Sequence, residues 1–273
     1  MASVDHHVHL YPDAVNRDPV GWAAAAGEAH WARLCTRRRR DGRPVQEFPD
    51  LETLLRDLDA AGIDRAILLG WYWEHSASCA AQNRFYAECV RRHPDRLSAY
   101  ATFHPASPPA EVEAELRRAR GEGLGGVGEL SPQSVGAALD TPAMQAALGL
   151  AASWGWPVNI HVTDPNGRAY PGKIETPFAD VERLALSHPQ VDFVFAHWAG
   201  AFDVRPLPNV RVDTAAAPLL YGSAAWALRG TTVRPDQVLF GSDYPLCLQA
   251  GQSAGAGLAG FAAEARRHGL PGV

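Results

Sequence analysis

Read for its apolar positions, the chain repeats one pattern from end to end. Short β-branched or apolar runs alternate with longer segments whose apolar residues recur every three or four positions. The first kind of run suits a buried strand and the second an amphipathic helix lying on a sheet, so the alternation predicts repeated βα units and a parallel sheet. Eight strands are predicted, at residues 3–9, 65–70, 97–103, 126–130, 157–162, 191–197, 210–213 and 238–243. Helices are predicted at 50–61, 78–92, 109–120, 141–154, 177–187, 218–228 and 258–268. Asp50 is placed to cap the first of these, and Thr141-Pro142 and Thr176-Pro177 each set a capping hydroxyl before a proline at the first helical position. The connection at 198–208 is too short and proline-broken for a long helix. Residues 11–49, after strand 1, are the outlier, since loops of that length are usually functional or disordered. Eight strands without repeat periodicity or linker composition give one α/β domain over residues 1–273. The expected fold is a somewhat distorted (β/α)8 TIM barrel with the 11–49 insertion loop over its active site.

Composition narrows the function. A chain of 273 residues buries roughly three quarters of its unfolded surface, enough for a core without metal or disulfide staples, so any metal is expected to be functional. The formal net charge of −5, from 25 Lys+Arg against 30 Asp+Glu, supplies no basic field and argues against nucleic acid as a partner. Cys35, Cys79, Cys89 and Cys247 lack CxxC spacing and read as reduced thiols. The N-terminus has no secretory pattern and no apolar run approaches the roughly 18 residues of a membrane span. The expectation is a cytoplasmic protein with a small-molecule substrate and no membrane partner, self-association being left open.

Active sites of such barrels form where the strands end, so the polar residues closing each run are the candidates. Strand 1 closes on Asp5-His6-His7-Val8-His9, strand 4 on Glu129, strand 5 on His161, strand 6 on His197 and strand 8 on Asp243. Side chains alternate along a strand, so His7 and His9 face one way, as two ligands of one ion must, and His6 faces the other. Any one of these residues has a bland structural explanation, but their convergence on one rim does not. Imidazole and carboxylate together suit a divalent zinc, manganese or iron ion.

These motifs resemble the amidohydrolase superfamily, within it the amidohydrolase-related (amidohydrolase 2) branch of hydrolases and decarboxylases. The resemblance spans nearly the whole chain. It rests on residues 5–9, on Ala196-His197, and on Leu239-Phe240-Gly241-Ser242-Asp243-Tyr244-Pro245, with a weaker echo in His93-Pro94-Asp95-Arg96-Leu97. It implies metal ligation by His7, His9, His161 and Asp243, with Asp243 also accepting a proton from the attacking water. His197 matches a histidine that binds a second ion in some members and polarises substrate in others. Glu129 is a departure from many relatives in this branch. In binuclear members a glutamate there bridges two ions, so Glu129 raises the choice between one ion and two.

The aromatic run after strand 2 makes Trp71 and Trp73 candidates for a substrate wall, against the alternative that they merely cover the barrel mouth. Arg37 to Arg40, or Arg168 after strand 5, could clamp a substrate carboxylate or phosphate, although four consecutive arginines also suit a solvated stretch. His104, after strand 3, and Asp213, at the end of strand 7, could touch substrate or simply satisfy backbone groups, and both are left out of the catalytic set. The leading expectation is a metal-dependent hydrolase of an amide, ester, lactone or phosphoester. The alternatives are a metal-dependent decarboxylase of an aromatic or unsaturated acid and a barrel that binds without turnover.

Overall fold

The computed structural model describes residues 2–167 and 169–273. Eight parallel strands run through it: β1 (Val4–Val8), β2 (Arg65–Leu68), β3 (Leu97–Ala99), β4 (Val127–Leu130), β5 (Val158–Ile160), β6 (Phe193–Phe195), β7 (Val210–Asp213) and β8 (Val238–Leu239). β1 to β3 and β4 to β8 form two ladders, each in sequence order. Two seams join them: Ala101 pairs with Val127 and Val8 pairs with Tyr244, with His6 N–H donating to Phe240 O at 2.8 Å. The result is a TIM barrel. Most strands end earlier than the apolar runs predict, because their last residues leave the ladder and turn over the rim. Those are the residues that carry the polar side chains.

The helices are α1 (Asp13–Arg17), α2 (Pro19–Ala26), α3 (Ala29–Cys35), α4 (Leu51–Ala61), α5 (Ser76–Arg92), α6 (Pro109–Gly121), α7 (Pro142–Trp154), α8 (Phe178–Ser187), α9 (Ala217–Leu220) and α10 (Ala254–Arg267). In α4, Leu51, Leu54, Leu55 and Leu58 make one buried stripe at helical spacing, and the helix packs beside α10. Asp50 caps α4 by accepting from Thr53 N at 2.8 Å, and Thr141 caps α7 through Met144 N at 3.2 Å. Thr176 does not cap α8, whose N-cap is Pro177. Its hydroxyl instead accepts from Thr163 N at 3.0 Å and from Gln133 Nε2 at 2.9 Å, tying together the loops around β5. The expected helix at 218–228 is broken into α9 and a 3-10 segment, Gly222–Leu228, which begins with Gly222 in the left-handed region. After β6 the connection holds only a short 3-10 turn, His197–Ala201.

The insertion departs from the expected loop, for it contains α1, α2 and α3. Tyr11 and Trp31 pack with Trp73 in a second hydrophobic cluster, burying enough aromatic surface to order the segment. The buried Glu28 carboxylate accepts from Glu74 N at 2.7 Å and His75 N at 3.2 Å. Glu74 returns the contact by accepting from His30 N at 2.6 Å. Beyond α3 the chain forms a hairpin in which Arg39 N donates to Arg43 O at 2.8 Å and Val45 N to Arg37 O at 3.1 Å; Cys247 N donates to Val45 O at 2.8 Å. The hairpin is thereby fastened beside the turn after β8. Among the described residues no helix is long and apolar enough to cross a membrane.

Candidate metal centre

His7 in β1 and His9 just past its end project inward side by side, their Nε2 atoms 3.2 Å apart. The opposite nitrogen of each ring fixes its tautomer. His7 Nδ1 lies 2.9 Å from Asp213 Oδ2, and His9 Nδ1 lies 3.0 Å from the Leu69 carbonyl. Both partners only accept, so both Nδ1 atoms carry the proton and both Nε2 atoms turn lone pairs toward each other. His197 follows the same logic, donating from Nδ1 to Ala215 O at 3.1 Å. His161 is reversed. Thr163 Oγ1 donates to Ile174 O at 2.7 Å, so it accepts from His161 Nε2 at 3.1 Å and leaves Nδ1 as the inward nitrogen.

Two carboxylates complete the ring. Glu129 Oε2 lies 3.8 Å from His7 Nε2 and 3.6 Å from His9 Nε2, while Oε1 lies 2.8 Å from His161 Nδ1 and 3.4 Å from His197 Nε2. Asp243 Oδ1 is 3.7 Å from His7 Nε2 and 3.6 Å from His9 Nε2, and its Oδ2 is 3.8 Å from His197 Nδ1. Donor atoms around one ion with bonds of about 2.1 Å stand roughly 3.0–3.5 Å apart. The spacing here is close to that, and the chemistry agrees, because lone pairs aimed at lone pairs in a buried site call for a cation. His7 with His9 and Asp243 makes one ligand set, and Glu129 with His7 and His197 another. His161 Nδ1 stands 3.2 Å from His197 Nε2 and joins the Glu129 side.

The field of these carboxylates acts on the imidazoles. Burial opposes charge on His7, but Asp213, Glu129 and Asp243 outweigh it and lift its pKa to about 10. Burial is likewise outweighed at His197, where Glu129 and Asp243 raise it to about 8. At His161 burial prevails and lowers the value. Glu129 is buried too, yet His161 and His7 hold it well below the usual carboxylate range. Protons on His7 and His197 thus stand in for the positive charge a divalent ion would supply.

Backbone geometry puts the groups in place at some cost. Gly128 has φ +131, and a Cβ there would lie 2.5 Å from Asn159 O, so the residue before Glu129 must be glycine. A Cβ on Gly241 would lie 2.8 Å from His7 Cβ. His197 and Asp243 take left-handed conformations at φ 57 and φ 66, each costing on the order of 1–3 kcal/mol in a residue that is not glycine. Hydrogen bonds from His197 N to Asp213 Oδ1 at 3.0 Å and from Asp243 N to His7 O at 2.9 Å hold them.

Asp213, set aside on sequence grounds, is the hub behind these ligands. It is fully buried and accepts from His7 Nδ1, Asn159 Nδ2 at 3.2 Å, His197 N and Ala215 N at 3.1 Å. Its place at the end of β7 was the available signal. Asp5 ties the other side together, accepting at Oδ1 from His7 N at 3.1 Å and Ser242 N at 2.9 Å.

A cavity of about 390 Å³ opens above the cluster, with His9, Glu129, His161, His197 and Asp243 on its wall. Trp71 lines it as expected. Trp73 does not: it is buried in the second cluster, where its Nε1 donates to Gln82 Oε1 at 2.7 Å. Tyr72 lines the cavity instead. The arginine run divides by alternation along the hairpin. Arg37 and Arg39 line the cavity, whereas Arg38 and Arg40 are exposed. Arg37 reaches the Leu34 carbonyl and stacks 4.9 Å over the Tyr170 ring, and Arg39 reaches the Cys247 carbonyl. Arg168 lies outside the described residues.

A sequence profile of the family described as Amidohydrolase matches residues 4–269. No curated protein matches the chain. Among solved structures it is similar to 5-carboxyvanillate decarboxylase from Novosphingobium aromaticivorans, complexed with manganese and 4-hydroxy-3-methoxy-5-nitrobenzoic acid, at 18% identity and TM-score 0.66 over 98% of this chain and 95% of that one. It is also similar to a probable 2-pyrone-4,6-dicarboxylic acid hydrolase from Acinetobacter baumannii with citric acid bound, at 16% identity and TM-score 0.58 over 99% and 95%. A third is 2,6-dihydroxybenzoate decarboxylase from Rhizobium, at 16% identity and TM-score 0.58 over 99% of each chain.

Proposed function

Because the chain belongs to the amidohydrolase family, whose members are metal-dependent hydrolases or decarboxylases, we propose that it is a hydrolase of an amide, ester, lactone or phosphoester bond in a small anionic molecule. The observation that carries this reading is the placement of Glu129, which offers one oxygen to His7 and His9 and the other to His161 and His197. A carboxylate shared by two ions needs that arrangement. His7, His9 and Asp243 would hold one ion, His161 and His197 the other, with Glu129 common to both. The donor set suits zinc, manganese or iron.

Divalent ions held there would supply Lewis acidity, making a water deprotonable near neutral pH and withdrawing electrons from a carbonyl or phosphoryl oxygen. Asp243 would be the chain's own base in this scheme, since it borders the cavity and a carboxylate there would accept the proton of the attacking water. His197 has its N–H committed to Ala215 O, which favours the ligand role over the polarising one. Arg37 and Arg39 offer a substrate carboxylate or phosphate their planar donors, and Trp71 offers a flat wall.

Decarboxylation of an aromatic acid is the second reading, favoured by the stacked Trp71–Tyr72 wall, with ring centroids 4.4 Å apart, and by the presence of decarboxylases among the similar structures. One experiment separates the two. Metal-loaded enzyme is offered a panel of carboxylate-bearing lactones, esters, amides and phosphoesters, with aromatic acids, in water enriched in 18O and deuterium. Hydrolysis puts one 18O atom into product, and decarboxylation releases CO2 and puts deuterium on carbon. Exclusive CO2 release rejects the hydrolase reading, and a blank panel from fully loaded enzyme favours a binding barrel.

A further inference from the structure

The centre is rich in acceptors and poor in donors. The N–H groups of His7, His9, His161 and His197 point outward to Asp213, Leu69 O, Thr163 and Ala215 O, and Glu129 and Asp243 are carboxylates. With ions on the inward nitrogens, none of these groups would donate to a substrate oxygen on which negative charge builds. Arg37 and Arg39 each place one N–H on a carbonyl, of Leu34 and of Cys247, and their remaining donors are assigned to the carboxylate or phosphate group of the substrate rather than to the bond that is cleaved.

Tyr72 can supply that bond. Its ring is stacked on Trp71 at 4.4 Å between centroids and packs against His161 at 5.3 Å, so ring packing alone fixes its position. Its hydroxyl has no hydrogen-bond partner among the described residues. By contrast, Tyr86, Tyr221 and Tyr244 donate to Leu69 O at 2.8 Å, His197 O at 3.1 Å and Asp57 Oδ2 at 2.8 Å. The Tyr72 side chain forms part of the cavity wall beside Glu129 and His161. A phenol keeps its proton near neutral pH, so the hydroxyl is available as a donor.

We infer that the Tyr72 hydroxyl is a catalytic hydrogen-bond donor to the substrate oxygen that gains negative charge during bond cleavage. The proton stays on tyrosine and no covalent step passes through it. The inference rests on the hydrolase reading, and its test keeps the two apart. Y72F removes the oxygen and preserves the ring packing. With a hydrolysed substrate from the panel, it should lower kcat about 100-fold or more, as loss of one oxyanion donor does. KM, metal content and melting temperature should stay near wild type. A kcat within about threefold of wild type, or a loss that tracks loss of metal, overturns the proposal. Should the wild type hydrolyse nothing, inorganic phosphate titrated into the metal-loaded proteins decides. Binding about 10-fold weaker in Y72F supports the donor even as the hydrolase reading fails, and equal binding removes both.

Discussion

Replacing Asp213 by asparagine tests whether this carboxylate prepares His7 for a metal. Oδ1 receives two backbone N–H groups, from His197 and Ala215, that cannot turn away, so the asparagine oxygen must remain there. Its NH2 group then faces His7 Nδ1 and Asn159 Nδ2. Asn159 can adapt by flipping its amide, because its Oδ1 is buried without a partner. His7 cannot adapt without cost: to accept at Nδ1 its ring must carry the proton on Nε2, the nitrogen that faces His9, Glu129 and Asp243. Metal binding requires that proton to move back, setting N–H against N–H and forfeiting a charge-assisted bond worth about 1.5–3 kcal/mol. The corresponding loss of affinity is about 10–100-fold, as for other groups that orient a ligand histidine. An opposing effect is present, since removing the Asp213 charge also eases displacement of the His7 proton. That relief shrinks as pH rises, so the deficit should be wider at pH 9 than at pH 7. Competition titration of metal-free D213N against a chromogenic chelator with zinc and with manganese measures it, with melting curves to verify folding. A folded variant binding both metals within about threefold of wild type at pH 9 refutes the tautomer argument.

The pKa values of His7 and His197, raised to about 10 and about 8, make a prediction for metal-free protein. A raised folded-state value stabilises below the unfolded histidine value of about 6.5 and is lost as pH climbs through the folded value, so the melting temperature should fall between pH 6.5 and 10. Metal-loaded protein should fall less, and parallel curves would contradict the replacement of protons by metal. Gly241→Ala brings a Cβ to 2.8 Å from His7 Cβ and should cost about 1–3 kcal/mol by overpacking, read in urea melts together with lowered metal content; an unchanged midpoint would mean that β1 yields. Arg37→Met and Arg39→Met should each raise KM for an anionic substrate about 10-fold or more with a smaller change in kcat. Arg38→Met and Arg40→Met, which alter exposed positions, should leave both constants alone, and equal effects at all four positions would reject the division of the run.

The barrel and the strand-end groups were legible in the sequence because both depend on local periodicity. A period of two puts His7 and His9 on one face, and the order of βα units carries Glu129, His161, His197 and Asp243 to the rim of the barrel. Which atoms meet at that rim is decided by partners distant in sequence. Asp213, open in the sequence between touching substrate and satisfying backbone, is placed by the fold 2.9 Å from His7, 206 positions away. The inward nitrogen of His161 depends on Thr163 and Ile174, and Thr176 left its expected capping role for the same loop network. Trp73 left the expected wall because the insertion supplied aromatic partners, Tyr11, Trp22 and Trp31, that enclose it. Arg37 and Arg39 parted from Arg38 and Arg40 only when a hairpin gave that stretch two faces. Periodicity is written along the chain, whereas the direction of a ring nitrogen or a guanidinium is set by what the rest of the fold packs against it.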